Sequence, residues 1–382
     1  MPILPSILSH CIRSDVLAMH AYTVQDATGM VKLDAMENPF PLPAALQQKL
    51  GIRLGALAIN RYPDARIHDL RHALAHYAGM PGGSDIMLGN GSDELISLLA
   101  LACARPADAQ GKRPVILAPV PGFVMYAMSA QLQGLDFVGV ALTPDFDLDT
   151  PAMLQAIALH QPAIVYLAYP NNPTATLWDE AAMADVVAAG AAAGCIVVID
   201  EAYQPFSSRS YIEHIRNKPD QHPHVLLMRT LSKFGLAGVR LGYMLGRTEL
   251  IAQIDKVRPP YNISVLNCEC ALFALEHAEV FAAQATALRE ERSRVINALR
   301  TLPGVTVWNS DANMVLLRLE RRSDQNAPAI DRAQDMFNKL KAKGILIKNV
   351  SKMHPLLAQC LRITIGTAEE NTQLLAAFQE FL

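Results

Sequence analysis

Short apolar runs alternate with helical stretches through the middle of this chain, and this alternation limits the possible folds more than any other feature. The runs have the length of buried strands and lie at 115–117, 137–142, 163–168, 195–199, 225–228 and 241–245. Between them lie stretches with helical periodicity, such as 150–159 and 179–193. The pattern predicts an α/β fold with a mostly parallel sheet flanked by helices.

The length of 382 residues exceeds what one ordinary core holds. Residues 1–42 contain no convincing long element and predict an N-terminal arm. Residues 43–262 carry the alternating pattern and predict a large domain. From residue 263 a long charged helical segment precedes short strands and further helices, which predicts a small C-terminal α+β domain over 263–382.

Composition favours a protein that acts on small molecules. The net charge is −3 and no dense run of Lys and Arg is present, so we expect no nucleic-acid partner. The first eight residues lack the basic segment and cleavage site of a signal peptide, and no apolar run is long enough to cross a bilayer. We therefore expect a cytoplasmic protein without a membrane partner, in which the six cysteines are free thiols.

A metal site is not expected either. His68, His72 and His76 share one helix face, but no acidic ligand accompanies them in the way that known zinc motifs require.

Chemically useful side chains follow three of the apolar runs. Asp200 and Tyr203 come after run 195–199, Lys233 comes after run 225–228, and Asn172 comes after run 163–168. Open α/β sheets bind ligands at the carboxyl ends of their strands. Pyridoxal phosphate needs a lysine for its Schiff base, an acid that keeps the ring nitrogen protonated, and donors to the ring oxygen. These residues predict a pyridoxal phosphate site.

The phosphate of such a cofactor also has candidate ligands. The glycine-rich segment 89–95 opens an apolar helix, whose first N–H groups and positive dipole end suit an anion. Thr230 and Ser232 supply hydroxyls, and Arg240 supplies a guanidinium that can bind phosphate in a bidentate manner. Taken singly, these motifs are also typical of a capped helix, a turn and a surface lysine; their joint occurrence at strand ends favours the cofactor site.

Seven blocks of this sequence resemble the fold-type I aminotransferases that depend on pyridoxal phosphate, and among them the histidinol-phosphate aminotransferase family. The blocks are 33–40, 61–64, 89–94, 171–174, 200–203, 230–233 and 361–367. The resemblance implies the transfer of an amino group between histidinol phosphate and 2-oxoglutarate, which yields 3-(imidazol-4-yl)-2-oxopropyl phosphate and glutamate, in histidine biosynthesis. An aromatic amino acid aminotransferase and a threonine-phosphate decarboxylase remain alternatives on the same scaffold. A nicotinamide-dependent dehydrogenase is disfavoured because no GxGxxG motif is present.

The resemblance also assigns roles to residues. It implies that Lys233 forms the Schiff base and moves the substrate proton, that Asp200 pairs with the ring nitrogen, and that Tyr203 and Asn172 reach the ring oxygen. The other implied cofactor ligands are Ser92, Asp93, Phe123, Thr230, Ser232, Arg240 and, from the neighbouring subunit, Tyr62. This use of Tyr62 requires a homodimer. The implied substrate ligands are Arg362, Tyr22 and Lys348.

Two positions and one spacing depart from the pattern of the family. Ala175 stands where glycine is usual, so we expect a slightly strained or reshaped turn. Lys348 stands where an arginine often binds substrate phosphate, so a point charge replaces a planar fork. The spacing between Lys233 and Arg240 is one residue shorter than in many relatives, which predicts a tighter loop.

Overall fold

The computed structural model describes residues 3–19, 21, 25–320 and 331–382. In these ranges the α-helices are α1 (Ile3–Cys11), α2 (Ser14–Leu17), α3 (Ala44–Gly55), α4 (Arg66–Ala78), α5 (Gly91–Cys103), α6 (Val124–Gln133), α7 (Thr150–His160), α8 (Glu180–Ala192), α9 (Ile212–Asn217), α10 (Thr248–Ile254), α11 (Val265–Glu276), α12 (Ala278–Arg300), α13 (Arg332–Ala342) and α14 (Ala368–Phe381). The strands are β1 (Val31–Lys32), β2 (Ser84–Gly89), β3 (Val115–Val120), β4 (Asp136–Ala141), β5 (Ile164–Ala168), β6 (Ile196–Asp200), β7 (Val225–Thr230), β8 (Gly242–Arg247), β9 (Val305–Val307), β10 (Met314–Leu319), β11 (Ile345–Leu346), β12 (Lys348–Asn349) and β13 (Cys360–Thr364).

The main sheet has seven strands in the order β2-β8-β7-β6-β5-β3-β4. Strands β3 to β7 are parallel, and β8 runs antiparallel to both of its neighbours. Helices cover the sheet, so central strands such as β5 and β7 are buried along their whole length, and their sequences begin with continuous apolar runs. The predicted α/β class is confirmed, and each of the six predicted runs overlaps a strand. Strand β2 was not predicted from the sequence, because only three of its six residues, Ile86, Met87 and Leu88, form an apolar run.

The register of the central strands brings the predicted site residues to one edge. Ala168 at the end of β5 pairs with Asp200 at the end of β6, and Asp200 pairs with Met228 near the end of β7. Parallel strands that end level with one another deliver their following loops to the same place. Lys233 lies three residues beyond Thr230, the last residue of β7, in a π-helical turn.

A second, antiparallel sheet has the order β12-β13-β10-β9 and is packed against α12, α13 and α14 around its own core. Strand β1 pairs in parallel with β11, so residues 31–32 join this part of the molecule. The domain limits at residues 42 and 262 stay predictions. The expectation of no long element before residue 43 was wrong, because α1 spans nine residues. The described side chains of α1 are exposed, so this helix has no buried face there that would give its sequence the usual apolar periodicity.

Among the described residues, no helix combines the length and the apolar character needed to span a membrane.

A buried ion pair between Glu201 and Arg229 links the ends of β6 and β7. Glu201 follows Asp200 and is 1% exposed, while Arg229 precedes Thr230 and is 5% exposed. Their closest oxygen and nitrogen atoms lie 2.8 Å apart. Glu201 also accepts hydrogen bonds from the Ser210 hydroxyl and the Tyr211 backbone N–H. The pair is therefore well satisfied, as a buried ion pair must be to remain stable.

We expect Glu201→Ala to lower the free energy of unfolding by about 3–5 kcal/mol, because it leaves the Arg229 guanidinium buried without its partner. Urea denaturation of the purified protein measures this. The matched control is Arg113→Ala, which breaks the exposed Arg113–Asp136 pair and is expected to cost less than about 1 kcal/mol. Equal losses in the two variants would contradict the structural role of the buried pair.

Candidate active site

One cavity at the carboxyl edge of the main sheet collects most of the predicted site residues. Those that line it are Ser92, Asp93, Phe123, Asn172, Asp200, Tyr203, Thr230, Ser232, Lys233 and Arg240. The same cavity is also lined by Met36, Tyr126, Ala168, Pro170 and Ala202. Strand ends, the start of α5 and the start of α6 thus converge on one space, which is where the fold class places its ligands.

Asp200 is a buried acid at the base of this cavity. It is 4% exposed, and its Oδ1 accepts a hydrogen bond from the Ala202 backbone N–H at 3.1 Å. Burial disfavours the charged form and raises the pKa of Asp200 to about 6. Among the described residues no cation pairs with it, so the carboxylate suits a positively charged group of a ligand.

Tyr126 is a partner of Asp200 that sequence reasoning missed. Its hydroxyl donates to Asp200 Oδ2 at 2.6 Å, and its ring is stacked on Tyr166 with ring centres 4.2 Å apart. It lies in α6, three residues after Phe123, which packs edge-on against it. The only signal in the sequence is an aromatic residue one helical turn after Phe123, and this spacing is also typical of a core residue.

Lys233 carries an amine that is easier to deprotonate than usual. Burial lowers the pKa of Lys233 to about 8, and the Arg362 guanidinium contributes to the decrease. Its Nζ donates to the Ala35 carbonyl oxygen at 3.0 Å. A lysine with these properties is suited to act as a nucleophile and as a base near neutral pH.

The start of α5 and the loop after β7 form a cup for an anion. Arg240 places its guanidinium 3.4 Å from Asp93 Oδ2 and 3.5 Å from the Ser232 hydroxyl. Thr230 donates its hydroxyl to Ser232. The first N–H groups of α5 and this guanidinium provide the donors that phosphate requires.

Two glycines allow this close packing. A Cβ on Gly242 of β8 would lie 2.8 Å from the Gly91 carbonyl carbon and 2.9 Å from Ser92 N. Gly91 itself has a φ of +78°, and a Cβ there would lie 3.0 Å from an Arg240 nitrogen. The glycine-rich segment is thus required by the approach of β8 and of Arg240 to the start of α5.

Arg362 lies beside the cavity, on β13 of the second sheet. It is 8% exposed, and it donates to Asn172 Oδ1 and to the Asp34 carbonyl oxygen, each at 2.8 Å. The Cα atoms of Lys348 and Arg362 pair across β12 and β13, so both side chains leave the same face of the sheet. The structure thus places the two predicted anion ligands side by side, while their roles in binding substrate stay predictions.

Tyr203 and Asn172 are the predicted donors to the cofactor's ring oxygen. Both line the cavity, and Tyr203 is 4% exposed. Burial raises the pKa of Tyr203 well above its usual value, which keeps its hydroxyl protonated as a donor. The Oδ1 of Asn172 accepts from Arg362, so the amide presents its Nδ2 as the donor end.

Tyr62 does not line the cavity of its own chain. Its side chain is 78% exposed and is stacked on Tyr261 with ring centres 4.7 Å apart. The predicted contact of Tyr62 with a neighbouring subunit stays a prediction. Tyr22 lies outside the described residues.

Ala175 has the backbone conformation that glycine favours. Its φ is +60°, and its side chain is fully buried beside Met36 and Tyr203. The left-handed conformation agrees with the expected strain in this turn, since a Cβ costs about 1–2 kcal/mol there. The methyl group offsets part of that cost by filling space near the cavity.

The residues present fit pyridoxal phosphate. An amine with a lowered pKa, a buried carboxylate that pairs with no cation in the described part of the chain, and a cup of N–H, hydroxyl and guanidinium donors line one cavity. These are the groups needed by the aldehyde, the ring nitrogen and the phosphate of that cofactor. The structure offers no comparable site for a metal: in the described part of the chain, no group of three or more His, Cys, Asp or Glu side chains is arranged to hold one.

Comparison with known proteins agrees with this chemistry. Residues 28–378 match the family model described as aminotransferase class I and II. The chain is 64% identical to the histidinol-phosphate aminotransferase of Paracidovorax citrulli, covering 97% of each chain, and 60% identical to that of Methylibium petroleiphilum, covering 100% of this chain and 97% of the relative.

Solved structures show the same fold. The histidinol-phosphate aminotransferase from Sinorhizobium meliloti in complex with pyridoxal-5'-phosphate superposes with a TM-score of 0.80 at 23% identity, over 97% of each chain. The enzyme of the same name from Clostridium acetobutylicum gives 0.79 at 23% identity, over 92% of this chain and 98% of its own. This protein therefore belongs to the class I and II aminotransferase family, in its histidinol-phosphate aminotransferase branch.

Proposed function

We propose that this protein is a pyridoxal phosphate-dependent aminotransferase that converts histidinol phosphate and 2-oxoglutarate into 3-(imidazol-4-yl)-2-oxopropyl phosphate and glutamate. The observation that carries the reaction class is the single cavity that holds both the amine of Lys233 and the carboxylate of Asp200. The substrate is supported by the relatives that carry this name at 60–64% identity over nearly the whole chain.

In this proposal Ser92, Thr230, Ser232 and Arg240, together with backbone N–H groups around Asp93, would hold the phosphate of the cofactor. When bound, pyridoxal phosphate supplies an aldehyde that takes up the amino group and a ring that withdraws electrons from the substrate's Cα.

The protein's own groups handle the proton. Lys233 Nζ accepts the proton that leaves the substrate's Cα and later returns one, a task that suits its lowered pKa. Tyr203 and Asn172 would donate hydrogen bonds to the ring oxygen, and Phe123 would pack against the ring.

Arg362 binds the anionic end of each substrate in turn. A guanidinium can do this because phosphate and carboxylate both present two oxygens to its planar fork. Lys348, on the same face of the second sheet, adds a second positive charge that favours a doubly charged phosphate over a carboxylate. Tyr22 is the remaining predicted substrate ligand.

A homodimer is part of the proposal. The 78% exposed side chain of Tyr62 would reach the cofactor phosphate of the neighbouring subunit.

We also place the reaction in the cytoplasm. The six cysteines are free, which agrees with this compartment because reducing compartments keep thiols unpaired.

The decisive experiment follows the cofactor absorbance during half-reactions of the loaded enzyme with histidinol phosphate, phenylalanine and phosphothreonine. We expect conversion to the amine form of the cofactor to be fastest with histidinol phosphate, because phenylalanine lacks a phosphate and phosphothreonine carries an additional carboxylate on the carbon that bears its amino group. Lys233→Ala is the control and should show neither turnover nor the visible absorbance of the covalently attached cofactor. Preference for phenylalanine, or release of CO₂ from phosphothreonine, would select one of the two alternatives instead.

Arg362→Lys keeps the positive charge but loses the planar fork and the hydrogen bond to Asn172. We expect KM for histidinol phosphate and for glutamate to rise by about 10- to 100-fold. The matched variant Lys348→Arg adds a fork on the same face and should change KM by less than about threefold. Unchanged KM values in Arg362→Lys would remove Arg362 from the binding site.

The proton-transfer rate should depend on the ionisation of Lys233. Its amine must be neutral to accept a proton, and its pKa is lowered to about 8. The single-turnover rate with histidinol phosphate should therefore be lost as the pH falls through 8 and should level off above it. A rate that does not vary across this range would contradict Lys233 as the base.

A further inference from the structure

The contact between Tyr126 and Asp200 is short, buried and directional. The Tyr126 side chain is 2% exposed, and its hydroxyl lies 2.6 Å from Asp200 Oδ2. The other carboxylate oxygen accepts from the Ala202 backbone N–H, so each oxygen of Asp200 has one donor. Hydrogen bonds to an ionised acceptor are shorter and stronger than neutral ones.

Two aromatic neighbours hold the ring of Tyr126 in place. Its ring is stacked almost parallel on Tyr166, with an angle of 8° between the planes, and packs edge-on against Phe123. Two aromatic contacts thus fix the ring from different sides, and the hydroxyl has little freedom to leave Asp200.

We propose that Tyr126 is a positioning residue for the proposed reaction: its hydroxyl keeps Asp200 ionised and oriented so that the carboxylate can pair with the protonated ring nitrogen of the cofactor. The inference rests on the proposed function, since it concerns the same cofactor site. Tyr126 acts through Asp200 and is not required to touch the substrate.

The surroundings of Asp200 make this donor necessary. Within the described ranges, the titratable groups that interact with Asp200 are Tyr126 from α6, Tyr166 from β5, Tyr203 from the loop after β6 and Asp93 from α5, together with its neighbour Glu201. None of these is a cation. Burial and the two nearby carboxylates raise the pKa of Asp200, whereas the hydrogen bond from Tyr126 lowers it. Without that hydroxyl, Asp200 would hold its proton to a higher pH.

Tyr166 provides a matched control. It is fully buried and shares the stacked pair, but its hydroxyl has no hydrogen-bond partner within the described residues. Tyr126→Phe and Tyr166→Phe therefore each remove one hydroxyl oxygen from one of two stacked rings. Only Tyr126→Phe removes a hydrogen bond to Asp200.

The test measures cofactor affinity across acid pH in the cofactor-free forms of the wild type and both variants. Each is titrated with pyridoxal phosphate and with an analogue that has CH in place of the ring nitrogen. Both ligands carry the same aldehyde and phosphate, so the ratio of their two dissociation constants cancels the titration of those groups. What remains is the preference for a ring nitrogen, which requires an ionised carboxylate at Asp200.

In the wild type this preference should be lost as the pH falls through the pKa of Asp200. In Tyr126→Phe the midpoint of that loss should move up by about one pH unit, because one charge-assisted hydrogen bond is missing. Tyr166→Phe should follow the wild-type curve. Unfolding curves of all three proteins check that both variants are folded.

Two outcomes overturn the proposal about Tyr126 while the cofactor assignment stands: a Tyr126→Phe midpoint equal to that of the wild type, or an equal shift in Tyr166→Phe. A wild type that shows no preference for the ring nitrogen at any pH overturns the pairing role of Asp200 and this proposal with it. In an Asp200→Asn background, adding Tyr126→Phe should change the affinity ratio no further, and an additional change would show that Tyr126 acts by another route.

Discussion

The buried carboxylate of Asp200 is the constraint on which the rest of the site depends. An ionised carboxylate removed from water is costly unless hydrogen bonds or a cation satisfy it, and here two donors do so without any cation among the described residues. Its neighbour Glu201 shows the opposite arrangement, because Arg229 and Ser210 satisfy it within the protein. Two successive acids thus lie at the end of β6. Glu201 is paired with Arg229 inside the protein, whereas Asp200 lines the cavity. Asp200 is suited to a cationic group that a ligand brings.

Positive charge is also concentrated around Lys233. Burial lowers the pKa of its amine, and the guanidinium groups of Arg362 and Arg240 lower it further. The same two arginines are suited to anions, one in the cup at the start of α5 and one on the second sheet. A ligand with negative charge at both ends would therefore lie across Lys233. The two arginines therefore add to the effect of burial on the Lys233 amine, and the same guanidinium groups are suited to bind anions.

Much of this site could be predicted from the sequence because it depends on strand ends. Apolar runs mark the strands, and residues just beyond them, such as Asp200 and Lys233, must lie at one edge of a parallel sheet. Tyr126 could not be found in this way, because its role depends on how α6 rotates against β5 and β6. The pairing of Lys348 with Arg362 depends on a register that two-residue strands do not reveal. The exposed side chain of Tyr62 agrees with a contact to a neighbouring subunit. A sequence pattern within one chain cannot show such a contact between subunits.

The segment 33–37 connects the second sheet to the cavity through main-chain atoms. The carbonyl of Asp34 accepts from Arg362, and the carbonyl of Ala35 accepts from Lys233. Met36 is held in turn: its N–H donates to the Thr364 hydroxyl, and its own carbonyl accepts from the Asn313 amide.

Because these contacts use carbonyl oxygens, they depend on the path of the backbone and not on the side chains at 34 and 35. Met36 has a φ of +54°, so this path includes a residue in the left-handed region. Segment 33–37 therefore contacts both the proposed base, Lys233, and the proposed anion ligand, Arg362. A displacement of the second sheet relative to the first would change proton transfer and substrate binding at the same time.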